Sequence, residues 1–272
     1  RGLGDVYKRQ IGGDTTGTIT VQNKIDIEGT PSQVDAAFDD VNTFSADTNA
    51  DVTLTSDPTL AQLVTINDKI EGTITLNDYT VHLSGLTADV KAALDGTFAN
   101  TYTGDVTLND ADATAITATD LSAIGEKTSG TVTVTNAIAI TGTEDELVAA
   151  LVRDSTKVVA NTATVTVSIS SSNTASNLNS INEATTGLVT ATDVHTISGT
   201  NDEFLVLYDA DDAGTIVIDN DVNIEVSSES EVSELNYLNG RTTGTITASF
   251  TSTSISDLIH LEGSKNYTIT LT

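Results

Sequence analysis

The chain has no cysteine, no methionine and no tryptophan, only two prolines, and aromatic residues at 4%. Without cysteine there is no disulfide, no thiolate nucleophile and no Cys-based zinc site, and the redox compartment leaves no mark. Positive charge is scarce too: 11 basic residues stand against 39 acidic ones, a formal charge of −28 at pH 7. Such a surface cannot neutralise phosphates by counterion release, which excludes nucleic acid as a partner, and anionic membrane surfaces repel it. No apolar run reaches the ~18 residues of a bilayer span, so no membrane insertion is expected. Few aromatics and high charge are also the composition of disorder, but the apolar residues that are present recur with a regularity that argues for a core.

That regularity is a tandem repeat. The marker Gly-Thr-[Ile/Val]-Thr occurs at Gly17, Gly72, Gly130 and Gly244, with the variant Gly187-Leu-Val-Thr190, so the marker glycines recur at nearly equal steps along the chain. Other columns keep the same step. Ile27-Glu-Gly-Thr30, Leu83-Ser-Gly-Leu-Thr87, Ile140-Thr-Gly-Thr143 and Ile197-Ser-Gly-Thr200 align, as do Leu63/Ile66, Leu121/Ile124, Leu178/Ile181 and Leu235/Leu238. A fixed period of this length is the signature of a stacked architecture, in which no unit can bury its apolar face alone. The expected organisation is a leader over 1–16, repeats over 17–71, 72–129, 130–186 and 187–243, and a shortened terminal repeat over 244–272. Residues 1–10 match nothing downstream and resemble adapter-derived read-through on metagenomic reading frames, so the chain reads as one segment of a longer protein.

Each unit reads as two halves of strand, turn, strand and short helix. In the third repeat Val132, Val134, Ile138 and Ile140 alternate with polar residues, the period-two pattern of a strand, and Val165, Val167 and Ile169 repeat it in the second half. Helix starts are marked by capping boxes at Thr30-Pro-Ser-Gln33, Thr143-Glu-Asp-Glu146 and Thr200-Asn-Asp-Glu203. Val34/Phe38, Val90/Leu94, Leu147/Leu151 and Phe204/Tyr208 supply an i, i+4 stripe behind them. A further helix is expected near Ser254–Leu261, before a last strand in Tyr267–Thr272.

Strands stack ~4.8 Å apart and helices need ~8–10 Å. Either each turn contributes one paired strand and the stack curves, or two antiparallel strands accompany each helix and the chain reverses at every half-repeat. Both versions give an α/β repeat: an elongated solenoid of strand-strand-helix units in a continuous sheet, with short helices on one side.

Catalysis would need a non-repeated group of titratable residues. His82, His195 and His260 fall in different repeats and columns, His195 in the place of Ile25, Val81 and Ile138. No nucleophile, phosphate-loop or dinucleotide motif is present, so the chain is not expected to be an enzyme. Calcium takes oxygen ligands, and the densest acidic cluster is Asp209, Asp211 and Asp212 followed by Asp219 and Asp221. Asn109-Asp-Ala-Asp112 and Asp39-Asp40 are smaller. None matches a known calcium loop, so the choice lies between calcium ligands and solvated acids. The other candidate is an outward Thr-x-Thr array made of Thr18/Thr20, Thr53/Thr55, Thr73/Thr75, Thr131/Thr133, Thr164/Thr166 and Thr245/Thr247, which resembles the ice-binding face of some β-solenoid proteins.

In repeat style and composition, from residue 17 onward, the chain resembles large repetitive bacterial surface proteins of the adhesin, surface-layer or matrix kind. That resemblance implies a secreted or cell-surface location and a structural or adhesive array acting as an acidic rigid spacer or binding surface. Its partners would be other copies of itself, surface glycans or ice. An ice-, calcium- or glycan-binding module and a phage or viral fibre segment are the alternative expectations. No cofactor is implied, calcium excepted.

Overall fold

The computed structural model describes residues 19–20, 24–39, 44–45, 49–156, 158–169, 173–250, 259–263 and 267–271. The first part of the chain gives β1 (Ile19–Thr20), β2 (Asp26–Gly29), α1 (Pro31–Asp39), β3 (Phe44–Ser45), β4 (Asp51–Leu54), α2 (Leu60–Lys69), β5 (Thr73–Thr75), β6 (Leu83–Gly85), α3 (Thr87–Leu94), β7 (Thr97–Phe98) and β8 (Val106–Leu108). The middle gives β9 (Ala115–Thr117), α4 (Ala118–Gly125), β10 (Val132–Val134), β11 (Ala139–Gly142), α5 (Glu144–Leu151), β12 (Val158–Val159), β13 (Thr164–Val167), β14 (Asn173–Thr174) and α6 (Ala175–Glu183). The last part gives β15 (Val189–Ala191), β16 (Thr196–Gly199), α7 (Asn201–Asp212), β17 (Ile216–Ile218), β18 (Asn223–Ser230), α8 (Val232–Arg241), β19 (Ile246–Phe250) and β20 (Tyr267–Leu271). The fold is therefore α/β, with short parallel sheets and eight helices among the described residues. None of these helices is long and apolar enough to cross a membrane.

The chain forms two compact units, residues 1–110 with 123–135, and residues 111–122 with 136–272. In the first, β1 pairs with β3, β2-β4-β5-β7 form one sheet, and β6-β8-β10 form another ladder. In the second, β9-β11-β13-β15-β17 and β14-β16-β18-β19-β20 form two five-stranded sheets. Within the first unit α1 packs on α2 and α2 on α3; within the second α5 packs on α6, α6 on α7, and α7 touches α8.

Every recorded strand pair among the described residues is parallel. This removes the antiparallel version of the expected unit. A parallel pair needs a crossover long enough to carry the chain back, and here each crossover contains a helix or its connecting loops.

The core is a set of aliphatic ladders. Ile27, Val52 and Ile74 pair in register; so do Leu83, Val106 and Val132; so do Ile140, Val165, Val189 and Ile216; so do Ile197, Ile224 and Ile246. All are at most 3% exposed. Like side chains stacked at one strand spacing fill each ladder without gaps, and burial at roughly 25 cal/mol per Å² makes it the main stabilising term.

The sheets are separate and short, not one continuous sheet as expected, and the spacings explain why. The step along the chain from one ladder partner to the next is on average shorter than the step from one helix start to the next. In the first ladder Ile27 lies close ahead of α1, which starts at Pro31. Val52 lies further ahead of α2, which starts at Leu60, and Ile74 further still ahead of α3, which starts at Thr87. The ladder drifts away from the helix row, ends, and a new one starts beside the helix. From α3 onward the starts at Thr87, Ala118, Glu144, Ala175, Asn201 and Val232 alternate between a longer and a shorter step. A longer and a shorter step together equal the spacing between the marker glycines Gly130, Gly187 and Gly244.

Other expectations hold in part. Leu63/Ile66, Leu121/Ile124, Leu178/Ile181 and Leu235/Leu238 are buried, as are Val90/Leu94, Leu147/Leu151 and Phe204/Tyr208; the Phe38 side chain lies outside the described residues. Ile169, expected inward, is 65% exposed because β13 ends at Val167. His195 is exposed, and Val194 takes the buried place beside it. α3 starts at Thr87, with Leu86 in the cap position making no side-chain bond. Of the helix expected near Ser254–Leu261, Ile259 and His260 form a short 3-10 turn, and the residues before them lie outside the described set. Residues 1–16 lie outside it too.

Candidate functional site

The densest acidic cluster is built where α7 ends. Gly214, at φ +71°, closes the helix in the left-handed conformation that favours glycine, and Thr215 N–H donates back to the Ala210 carbonyl. Asp209, Asp211 and Asp212 lie on this last turn, Asp219 and Asp221 on the turn between β17 and β18. They do not converge. Asp212 accepts two bonds from the Arg241 guanidinium, at 2.6 and 2.5 Å, and these hold its carboxyl below the usual carboxylate range while raising Arg241. Asp211 Oδ1 accepts from Ile218 N–H at 3.2 Å. Asp219 and Asp221 are exposed. Among the described residues no three His, Asp or Glu side chains are grouped to hold a metal ion.

Arg241 also lies over two rings, 5.0 Å from the Tyr237 centroid and 5.7 Å from that of Tyr208. Tyr208 is buried, its hydroxyl has no hydrogen-bond partner, and burial pushes its pKa up, with the Asp211 charge adding. Asp212, Arg241 and the two tyrosines thus tie α7 to α8.

Several acids accept hydrogen bonds from residues more than twenty positions away along the chain. Asp51 Oδ1 accepts from Thr73 N–H at 2.8 Å and Asp105 Oδ1 from Thr131 N–H at 2.7 Å; Asn223 does the same for Thr245 at 2.9 Å. Lys24, bonded to Asp51, and then the Thr73 amide hold the Asp51 carboxyl low. Buried Asp110 accepts from Thr87 N–H at 3.0 Å and Thr87 Oγ1 at 2.5 Å, and Asp112 accepts from Ala137 N–H at 2.9 Å. Asp39 ends α1, and Asp40 lies outside the described residues.

The threonines of the Gly-Thr marker fall in different sheets: Thr73 and Thr75 at β5, Thr131 and Thr133 at β10, Thr245 and Thr247 at β19. Thr20 is in β1, and Thr18 lies outside the described residues. These positions recur in the sequence but do not stack on one another. What stacks is the next half-repeat. Thr53 pairs with Thr75, Thr107 with Thr133, and Thr117, Thr141, Thr166 and Thr190 form one ladder that ends on Val217.

A motif missed in the sequence lies one step before the Gly-Thr marker. Thr128, Thr185 and Thr242 donate to the carbonyls of Gly104, Ala163 and Val222 at 2.7, 2.6 and 2.5 Å, and each accepts from the amide of the glycine two residues on. A Cβ on Gly130, Gly187 or Gly244 would strike the same carbonyls, which is why the column is glycine. The Thr-x-Gly spelling at 128–130, 185–187 and 242–244 was the available signal.

Glu144, 1% exposed, opens α5 and accepts from Thr174 N–H at 2.8 Å and Asn177 Nδ2 at 2.6 Å, joining α5 to the start of α6. Burial raises its pKa, and these bonds oppose the rise. The three histidines are exposed and ungrouped; His82 meets Thr107 Oγ1 at 3.2 Å.

Two depressions are lined by described residues. One of about 510 Å³ is lined by Phe98, Asn100, Thr101, Glu126 and Lys127 among others, and one of about 230 Å³ lies between α7 and α8. No protein-family model, curated protein or solved structure matches the chain.

Proposed function

We propose that the chain is a structural array: turns of one α/β solenoid, stacked in a line, forming an acidic spacer or adhesive surface of a secreted or cell-surface protein, with no catalytic task. The observation that carries this reading is the recurrence of the same interlayer bonds at equal sequence steps. Thr128, Thr185 and Thr242 each bridge a carbonyl of the preceding layer to a glycine amide of their own. Polar groups that an enzyme would converge on a substrate are here used in holding layer to layer. Linear stacks of this kind have additive, nearest-neighbour energetics.

Deletion of one whole repeat, residues 72–129, tests it. The shortened protein is expected to fold cooperatively, and small-angle scattering should give a maximum dimension shorter by about 10 Å, two strand spacings. An unfolded product, or a folded one of unchanged dimension, would sink the linear stack.

A second reading rests on the Thr117–Thr141–Thr166–Thr190 ladder. Its outward row carries no charge on a chain of −28. An uncharged face of regularly spaced hydroxyls suits an ordered neutral surface such as ice. Thr141→Lys and Thr166→Lys should then abolish any inhibition of ice recrystallisation; absence of inhibition in the unaltered protein would remove this reading.

A further inference from the structure

Among the described residues, strand pairing shifts register just before α8. β2, β11 and β16, each the strand just before a helix, are four residues long, but β18 before α8 runs for eight, and its pairing with β19 shifts register between Glu225 and Glu229. Bulges re-aim the chain beside functional surfaces. This one lies just before α8, which starts at Val232, and a groove of about 230 Å³ lies between α7 and α8. Leu205, Leu238 and Tyr237 give it apolar walls; Asp202, Glu234 and Ser233 stand with them. On α5 and α6 the large apolar residues Leu147, Leu151, Leu178 and Ile181 are buried, whereas α7 leaves Leu205 46% and Val206 50% exposed.

We propose that this groove receives a lysine side chain of a basic partner polypeptide. Its volume is below the ~300–1,000 Å³ that drug-sized ligands and cofactors need, so it suits one side chain presented on a chain. The walls match an aliphatic stem, and the exposed Asp202 carboxylate matches an ammonium at its end; Glu234 lies beside it with Oε2 already accepting from Glu231 N–H at 2.7 Å and Asn201 Nδ2 at 2.9 Å. Charge complementarity selects the sign. α7 and α8 carry Asp202, Glu203, Asp209, Asp211, Asp212 and Glu234 against one cation, Arg241, whose guanidinium is held on Asp212. The chain's −28 steers a basic partner toward any part of the surface; the groove is where such a partner gains apolar contact as well. The inference stands apart from the scaffold reading, because a groove that bound nothing would leave the stack intact.

The test is a titration of the ¹⁵N-labelled full chain with a short lysine–leucine peptide and with its Nε-acetylated counterpart. Amide shifts are expected to be confined to α7 and α8, with the acetylated peptide silent. Asp202→Asn and Leu205→Ser should each weaken binding by about fivefold or more, the loss that marks an anchoring contact, while Asp145→Asn on α5 should not. Asp202 and Leu205 are exposed, so circular dichroism should show both variants folded as the unaltered chain. Shifts spread over all acidic faces, an equal loss in Asp145→Asn, or binding of the acetylated peptide would each overturn the proposal.

Discussion

Thr185 shows how one small side chain can join two distant segments of the chain. Its hydroxyl donates to the Ala163 carbonyl at 2.6 Å and accepts from Gly187 N–H at 3.0 Å, both away from water. Thr185→Val keeps the shape and removes both bonds, leaving a buried donor and acceptor unpaired, a loss of about 1–3 kcal/mol. A melting temperature lower by several degrees is expected; an unchanged one would mean the bridge adds nothing. The position two residues before Gly72 holds Ile70, so the bridge is not made before every marker glycine. Much at this level was legible. The Val and Ile alternation named the buried residues, and Gly-Thr named a column that only glycine fits. The bridging threonine was not read, because a Thr next to a Thr-rich strand looks like any other solvent-facing residue. Its role depends on a carbonyl in the preceding layer, far back along the chain.

Helix starts were the most legible elements, since a cap is local chemistry. Thr143 and Thr200 close reciprocal bonds with Glu146 and Glu203, and Thr59 does so with Gln62, a box not expected from the sequence. Strand partners were less legible, because the period of the sequence does not reveal that each ladder advances by less than half of it. Glu144 links two helices and gives them a pH dependence. Its folded pKa is raised above the ordinary 4.5, with burial as the main cause. Between the unfolded and folded values the native state holds a proton that the unfolded state has released. Its favourable contribution is therefore full below the unfolded pKa and is lost as pH rises through the folded one. Glu144→Gln cannot titrate, so the stability of the unaltered chain relative to this variant should fall across that window in urea melts at stepped pH. A difference that stays constant with pH would mean the carboxyl ionises as freely in the fold as outside it.

For the whole molecule, the unbalanced quantity is charge. Acids outnumber bases by 39 to 11 and oppose compaction through self-repulsion, and the ion pairs among the described residues, such as Lys24–Asp51 and Arg241–Asp212, offset little of it. Raising ionic strength from about 0.01 M to about 1 M shortens the Debye length from about 30 Å to about 3 Å, less than the distance between most of these acids. The melting temperature should rise by several degrees, since for a chain near this size each kcal/mol is worth about 2–4 °C. Calcium distinguishes diffuse charge from a site. Asp209, Asp211, Asp212, Asp219 and Asp221 do not converge, and Asp212 is already occupied by Arg241. Calcium chloride should therefore stabilise no more than sodium chloride of equal ionic strength, and equally in Asp219→Asn. A larger rise at millimolar calcium, lost in that variant, would mean that these aspartates rearrange around the ion and that calcium ligation, not screening, is what the acidic cluster supplies.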